Sequence, residues 1–112
     1  MKLHPYKTAG GKNLILEYIN SLSKDEELDG LAVLEYMEDD KLDELTIKPW
    51  RGSIHEVYFF KHNRIFYVSI ENKNAYLLHA CRKQKNKTEK KDADMIIKRA
   101  KELGEKLSKK LI

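Results

Sequence analysis

Hydrophobic positions follow a helical period in the first forty residues of the chain. A short strand is predicted over residues 2–8, and a pair of glycines ends it. Residues 12–22 then place apolar side chains three and four positions apart, which predicts an amphipathic helix. Ser23, with Glu26 three positions later, is typical of the N-terminus of a second helix. The apolar stripe of that second helix fades near residue 39.

The period changes to that of β-strands in the middle of the chain. Residues 54–60, 64–70 and 75–81 are rich in β-branched and aromatic residues, with short polar joints between them, as in an antiparallel meander. Thr88 then predicts the N-cap of a last helix. The apolar face of that helix comprises Ala93, Ile96, Ile97, Ala100, Leu103, Leu107 and Leu111. The order β-α-α-β-β-β-α predicts one α+β domain over residues 1–112, with two N-terminal helices and a C-terminal helix packed on a mainly antiparallel sheet.

The charge of the chain is divided unevenly between its two parts. Residues 1–45 contain 5 basic and 11 acidic residues, which give a net charge of −6. Residues 46–112 contain 17 basic and 7 acidic residues, which give a net charge of +10. Clustered positive charge favours a polyanion such as nucleic acid as partner. A basic surface also keeps a small protein soluble, so composition alone leaves both interpretations open.

Several classes of protein are excluded or disfavoured by what the sequence lacks. No window approaches 18 uninterrupted apolar residues, and the N-terminus has no signal-peptide pattern, so we expect a cytoplasmic protein without a membrane partner. The single cysteine, Cys81, excludes an internal disulfide and a cysteine-based zinc cage. The four histidines have no i, i+4 partner, and neither a phosphate-binding glycine loop nor a nucleophile elbow is present. We therefore predict no metal and no cofactor.

Basic and aromatic side chains collect in the predicted sheet region. The group comprises Arg51, Tyr58, Arg64, Tyr67, Arg82, Lys83, Lys85 and Lys87. Arginine and lysine at strand ends bind phosphates, and tyrosines stack on unpaired bases. Packing inside the domain is the alternative for Tyr58 and Tyr67, and by spacing alone it is favoured for each.

In this order of elements the chain resembles the RelE/HigB-like toxins of bacterial and phage toxin–antitoxin modules, most closely their phage-associated HigB-like branch. The matching strings, in chain order, are AGGKNLILEYI at 9–19, LTIKPW at 45–50, IHEVYF at 54–59, RIFY at 64–67, LLHACRK at 77–83 and QKNKT at 84–88. The resemblance covers nearly the whole chain. Each string alone is weak, but six in the right order and spacing are fairly specific.

The resemblance implies a ribosome-dependent endoribonuclease that cuts messenger RNA and thereby inhibits translation. It places Arg64 at the family's active-site arginine, with Arg82 and Lys83 at the basic end of the last strand. It also implies that Lys85 and Lys87 contact RNA in the loop that follows. His79 matches a recurrent family histidine, although its apolar neighbours favour packing at least as much.

The chain also departs from the family pattern. Tyr58 stands where the family has an arginine, Cys81 replaces a phenylalanine, and Glu89 replaces a proline. Glutamate and proline both suit the first turn of a helix, so the last change is harmless. Tyr58 removes one phosphate-binding charge or replaces it with a stacking group. A non-catalytic RelE-fold relative that binds RNA or protein is therefore the alternative function.

Metal-independent cleavage of this kind proceeds by attack of the 2′-hydroxyl group on the neighbouring phosphate. Arg64 and Arg82 suit the stabilisation of the phosphorane, because a guanidinium contacts two phosphate oxygens at once. For proton transfer the candidates are Tyr67, His79 and a lysine whose pKa is lowered by neighbouring cations. The sequence does not choose between them.

The partners implied by the resemblance are a helix-turn-helix HigA-like antitoxin, the ribosome and mRNA, with operator DNA contacted only through the antitoxin complex. The antitoxin either covers the cations with acidic side chains or binds elsewhere and blocks ribosome entry by bulk. We favour the remote mode, because Tyr18 and Tyr36 are predicted to offer apolar surface on the two N-terminal helices.

Overall fold

The computed structural model describes residues 1–83 and 87–112, and its elements follow the predicted α+β order with one strand added. They are β1 (Lys2–Pro5), α1 (Leu14–Asn20), α2 (Lys24–Glu38), a 3₁₀ turn (Leu42–Glu44), β2 (Thr46–Arg51), β3 (Ile54–Phe59), β4 (Asn63–Ile70), β5 (Asn74–Arg82) and α3 (Lys90–Leu107). The five strands form one sheet in the order β1-β5-β4-β3-β2. Only the β1–β5 pair is parallel within the described residues, so the predicted mainly antiparallel sheet is confirmed.

Helices cover both faces of this sheet, which makes three layers. Two sets of buried residues show the division. On the α1/α2 face, Ile15, Ile19, Val33 and Met37 pack on Val57, Phe59, Ile65, Tyr67, Ala75 and Leu77. On the α3 face, Ile96 and Ala100 pack on Ile54, Phe66, Val68, Leu78 and Cys81. Within the described ranges no helix has the length and hydrophobicity needed to cross a bilayer.

The two N-terminal helices begin where the sequence provides polar side chains. The side-chain oxygen of Asn13 accepts a hydrogen bond from the backbone N–H of Leu16 at 3.0 Å, so α1 begins at Leu14 rather than at residue 12. Ser23 precedes α2 as predicted, but its hydroxyl donates to the Glu26 carboxylate at 3.1 Å instead of capping the backbone. The position of the helix start is confirmed, but Ser23 and Glu26 bond to each other and not to the backbone N–H groups that their spacing suits them to cap.

Strand β2 is absent from the predicted elements, and its sequence explains why. Pro49 interrupts the TIKPWR segment, which is the pattern of an edge strand or of no strand. The register with β3 shifts between Pro49 and Arg51. Ile47 packs on the α1/α2 face and Trp50, three positions later, packs on the α3 face, as the alternation of a strand requires, and the bulge changes only the pairing of Arg51.

Both ends of the last helix differ from the prediction. Its N-cap is Glu89 and not Thr88, because the Thr88 hydroxyl accepts a hydrogen bond from the Trp50 indole at 3.1 Å. The helix ends at Leu107, and Ser108 follows in the left-handed region with φ of 53°. Leu111 therefore lies in a returning C-terminal tail rather than on the helix, and it is still buried on the α3 face.

Candidate active site

Charged and aromatic side chains collect at one end of the α3 face of the sheet. Tyr58 of β3, Arg64 of β4 and Cys81 of β5 are register partners, so their side chains point to the same face. Glu56 lies two residues before Tyr58 and shares that face. Lys83 follows the end of β5, and its ammonium group reaches Glu56.

Glu56, Arg64 and Lys83 form a buried charge cluster. The Lys83 Nζ atom donates to Glu56 Oε1 at 3.1 Å and lies 3.4 Å from Oε2, while Arg64 Nε lies 3.5 Å from Oε1. Glu56 is 3% exposed, Lys83 7% and Arg64 8%. A buried charge without a partner is strongly unfavourable, so each of these groups stabilises the others. Two cations for one carboxylate leave one net positive charge in a nearly dry site.

Arg64 is buried, whereas an arginine that binds RNA at a strand end is usually exposed. Its Cζ atom lies 3.5 Å from the centre of the Tyr58 ring. Its NH1 atom donates to the backbone carbonyls of Lys61 and Asn63, each at 3.0 Å. Among the described residues no hydrogen bond is made by its NH2 atom. Arg64 is thus fixed on three sides and keeps only a small accessible part.

A cleft of about 380 Å³ opens above this cluster. It is lined by Lys48, Pro49, Trp50, Glu56, Tyr58, Lys83, Lys87 and Thr88. The Lys48 ammonium lies 5.0 Å from the centre of the Tyr58 ring. The Trp50 indole, which donates to Thr88, packs edge-on against Phe66 with ring centres 5.4 Å apart. Strand β2 and the segment before α3 therefore both line the cleft, and the hydrogen bond from Trp50 to Thr88 joins them.

A second cavity of about 760 Å³ adjoins the cleft. It shares Lys83, Lys87 and Thr88 with the cleft and continues past Arg82 to the first turn of α3. Lys83, Lys87 and Thr88 thus line both depressions, whereas Arg82 lines only the second.

Arg82 lies on the α1/α2 face, although Lys83 beside it lies on the α3 face. Its NH2 atom donates to the Glu26 carboxylate at 2.7 Å, and the Asn63 side-chain amide donates to the same oxygen at 2.9 Å. These hydrogen bonds, the one from Asn63 first, hold the pKa of Glu26 below its usual value. The Tyr18 hydroxyl completes the network by donating to Asn63 at 2.6 Å. The structure therefore does not bring Arg82 together with Arg64, and Tyr18 is occupied inside the domain.

Tyr67 also lies away from the cleft. It belongs to the α1/α2 face, is 3% exposed, and packs near His55 with ring centres 5.9 Å apart. Burial raises the pKa of its hydroxyl group. The packing interpretation of this tyrosine fits the structure, whereas a role in proton transfer at the cleft does not.

His79 has both of its ring nitrogens occupied. Nε2 lies 2.8 Å from Asp92 Oδ1, and Nδ1 lies 3.2 Å from Arg99 NH1. An arginine can only donate, so Nδ1 accepts and Nε2 bears the proton that is donated to Asp92. Burial is the main reason that the pKa of His79 lies below its usual 6.5. His79 joins α3 to the sheet and has no free nitrogen for proton transfer with RNA.

His79 also belongs to a group of three possible metal ligands. The spacing of the histidines in the sequence did not predict this group. His79, Cys81 and Asp92 place one ligand atom each within 4.8 Å of one another. A metal on Nε2 requires a hydrogen on Nδ1, and that hydrogen would face the donor group of Arg99. Burial also raises the pKa of Cys81 to about 12, which disfavours the thiolate. The arrangement fits a packed hydrogen-bond pair better than a metal centre.

The remaining predicted RNA contacts differ in where they lie. Arg51 is exposed, and its Cζ atom lies 4.9 Å from the centre of the Trp50 ring. Lys87 is exposed and lines both cavities. Lys85 lies outside the described residues.

Sequence reasoning missed Glu56, Lys48, Trp50 and Thr88 as site residues. Glu56 had one usable signal, because it is a carboxylate at an inward position of a strand whose other residues are largely apolar. Such a residue requires buried partners of opposite charge. Lys48, Trp50 and Thr88 had no local signal, since their meeting depends on the unpredicted strand β2.

Fold and site together define a small three-layer α+β domain with a cationic cleft on one face of its sheet. Residues 17–101, most of the chain, match the model of the family described as phage-derived protein Gp49-like (DUF891). The chain belongs to this family, which is of the RelE/HigB-like toxin type. A toxin family of this type implies an antitoxin as partner. No individually curated protein matches the chain.

Proposed function

We propose that the chain is the toxin of a toxin–antitoxin module, of the phage-associated HigB-like branch, and that it cleaves mRNA on the ribosome. The observation that supports this most is the buried cluster of Glu56, Arg64 and Lys83 beneath a cleft lined by further cations. The volume of the cleft, about 380 Å³, falls in the range of small-ligand sites and suits one nucleotide.

Several cations at the cleft are placed to bind the phosphate, each from a different position. Lys83 lies at the base of the cleft, and Lys48 and Lys87 line its sides. Fixed positive charges in a dry site stabilise the charge that develops on the phosphorane. Arg64 lies behind Tyr58 and beside Glu56. We therefore propose that it stabilises the Glu56 carboxylate and that its NH2 atom makes a second contact with the phosphate.

Glu56 is our candidate for the general base, since it has the only carboxylate among the described residues that line the cleft. It takes the proton of the 2′-hydroxyl while that oxygen attacks phosphorus and the 5′-oxygen leaves. Lys83, which already donates to Glu56, is placed to protonate the leaving oxygen. The products are a 2′,3′-cyclic phosphate and a 5′-hydroxyl. Arg82, Tyr67 and His79 have no part in this assignment, because the structure places them elsewhere or occupies their polar atoms.

Positioning of the RNA by the ribosome completes the scheme. An mRNA already ordered in the decoding site lowers the entropic cost of aligning the 2′-oxygen, the phosphorus and the leaving group. The proposed partners are therefore the ribosome with its mRNA and a helix-turn-helix antitoxin, with operator DNA contacted only through the antitoxin complex.

A non-catalytic relative that binds RNA is the second candidate, and Tyr58 favours it. Its ring covers the guanidinium group of Arg64, whose Cζ atom lies 3.5 Å from the ring centre. A covered guanidinium contacts a phosphate less readily than an open one. In this case the cleft binds RNA through charge and stacking, and no bond is cleaved.

Induced expression of the intact chain without an antitoxin tests the proposal. We expect growth arrest, loss of translation, and new mRNA fragments with 5′-hydroxyl ends. Glu56→Gln and Arg64→Lys should each lower the cleavage rate by about a hundredfold or more, because one removes the base and the other the planar fork. Both substitutions nearly preserve side-chain volume, but Glu56→Gln leaves two buried cations without a carboxylate, so circular dichroism must show that each variant is folded before the rates are compared.

Lys98→Met is the matched control, because Lys98 is an exposed cation of α3. It should arrest growth as strongly as the parent chain. If cells that express soluble parent chain grow normally, the proposed enzymatic activity is contradicted. RNA retained on ribosomes with unchanged mRNA ends would support the non-catalytic alternative instead.

A further inference from the structure

The turn between β3 and β4 contacts both basic residues of the buried cluster, Arg64 through its guanidinium group and Lys83 through its backbone. The carbonyl of Lys61 accepts a hydrogen bond from Arg64 NH1 at 3.0 Å. The carbonyl of His62 accepts one from the backbone N–H of Lys83 at 2.6 Å. The turn thus sets the direction of the Arg64 side chain and the place where the chain leaves β5.

This turn has a backbone conformation that residues other than glycine rarely adopt. Phe60 and Lys61 have φ values of 38° and 65°, so two successive residues lie in the left-handed region. Such a conformation persists only where surrounding contacts enforce it.

One enforcing contact comes from α2 on the α1/α2 face of the sheet, and a second comes from the Asn63 side-chain amide, which donates to the Phe60 carbonyl at 3.4 Å. The Asp29 carboxylate accepts a hydrogen bond from the backbone N–H of Phe60 at 2.7 Å. Gly30 makes the approach possible, since a Cβ atom there would lie 2.9 Å from the Phe59 ring and 3.1 Å from Ile19. The helix-disfavouring pair Asp29-Gly30 therefore packs directly on the end of β3.

We propose that Asp29 is a positioning residue for the site on the opposite face of the sheet. It fixes the turn, and the turn fixes Arg64 and Lys83. Asp29 does not line the cleft, so its effect on the reaction acts only through those two cations. The functional part of this inference rests on the proposed function, whereas the positioning of Arg64 can be measured without it.

The test uses the full chain labelled with ¹⁵N-arginine. The Nε–H signal of Arg64, assigned with Arg64→Lys, reports the order of its side chain, and inhibition of translation on isolated ribosomes reports activity. Asp29→Ala should reduce the order parameter of Arg64 Nε below about 0.6, the range of mobile groups. It should also weaken inhibition about tenfold to a hundredfold, as displacement of a reacting group does. Alanine favours helix more than aspartate does, so α2 itself is not weakened.

Two further variants and one control complete the design. Asp29→Asn keeps an acceptor for Phe60 and should retain both readouts. Lys61→Gly added to Asp29→Ala should recover the Arg64 signal, because glycine adopts the turn conformation without enforcement. Glu35→Ala, an exposed acidic residue of the same helix, should change neither readout.

An ordered Arg64 in Asp29→Ala would overturn the proposal, and so would full inhibition by that variant. Equal losses of Arg64 order and of translation inhibition in Glu35→Ala would overturn the proposal as well. A parent chain that fails to inhibit translation would contradict the proposed function, while the Arg64 signal would still decide whether Asp29 positions it.

Discussion

His79 determines how one part of the protein responds to acid. It is neutral when Nδ1 accepts from Arg99 and Nε2 donates to Asp92. Protonation would place a hydrogen and a charge on the ring nitrogen that faces the Arg99 guanidinium. The folded protein therefore takes up this proton less readily than the unfolded chain, in agreement with the lowered pKa.

The first prediction follows from this difference in proton binding. The unfolded chain binds the proton near the ordinary histidine pKa of 6.5 and the folded protein binds it only at lower pH, so the free energy of unfolding should fall as the pH drops from about 7 to about 5. His79→Gln should flatten this part of the profile, because glutamine can donate to Asp92 and accept from Arg99 without titrating. Urea unfolding at both pH values measures the effect. Identical profiles for the two proteins would assign the pH dependence to other groups.

Single residues also show how far a sequence can predict a site. The strings around Arg64 and Lys83 point to two residues that both lie against Glu56 in the structure. They also mark Arg82, because adjacent strand residues look alike in a basic string although they point to opposite faces. Glu56 is not predicted from these strings, because its role depends on Arg64 and Lys83, which lie outside its own strand.

At the scale of elements, the C-terminal tail joins α3 to the β2–β3 turn. The carbonyl of Leu111 accepts a hydrogen bond from the backbone N–H of Ser53 at 2.7 Å, and the Leu111 side chain is buried on the α3 face. Gly52 in that turn has φ of +55°, and a Cβ atom on it would clash with the Leu111 carbonyl oxygen. The tail can therefore dock only against glycine.

Gly52→Ala should destabilise the protein by about 2 kcal/mol or more, since it combines an unfavourable backbone conformation with a clash against main-chain atoms. Gly10→Ala is the control, because the nearest contact of a Cβ atom there is 3.9 Å away and its φ is not positive. It should change stability by less than about 0.5 kcal/mol. Denaturant midpoints measure both. Equal midpoints would mean that the tail contributes nothing to stability.

The elements with a strong period can be predicted from the sequence, and those that depend on distant partners cannot. The three meander strands have regular apolar patterns, and the structure confirms them. The extent of α2 is confirmed as well, but Leu28 and Leu31 of its predicted apolar stripe are exposed, and Val33 is buried instead. Strand β2 is as long as β3, but Pro49 interrupts it and its apolar residues do not alternate, so it depends on its pairing with β3. The start of α3 differs by one residue because Thr88 bonds to Trp50, which no local pattern shows.

At the scale of the whole molecule, the acidic and basic parts of the chain lie on different faces. The helices of the acidic first part pack on one face of the sheet, and the basic α3 packs on the other. The helices of the first part also leave Leu28 52%, Leu31 39% and Tyr36 40% exposed. Tyr18, in contrast, is occupied by Asn63 and offers little surface. These exposed residues favour an antitoxin that binds the helical layer, away from the cleft.

This remote mode predicts different effects of two substitutions on antitoxin affinity. Leu31→Glu, on the exposed surface of α2, should weaken the complex about tenfold or more, because it places a charge in a buried contact. Lys83→Met, in the cleft, should leave both the affinity and its salt dependence unchanged. Titrations at low and high salt measure the two effects. A large loss of affinity and of salt dependence in Lys83→Met would show that the antitoxin covers the cations.

The single tryptophan of the chain, Trp50, lines the cleft and bonds to the segment before α3. All indole fluorescence of the protein therefore originates at the site where we expect RNA to bind. A nucleotide that stacks in the cleft, or a movement that separates Trp50 from Thr88, changes the surroundings of this one fluorophore. The unmodified protein is thus its own optical probe, and ligand binding can be followed by emission intensity and wavelength without an attached dye.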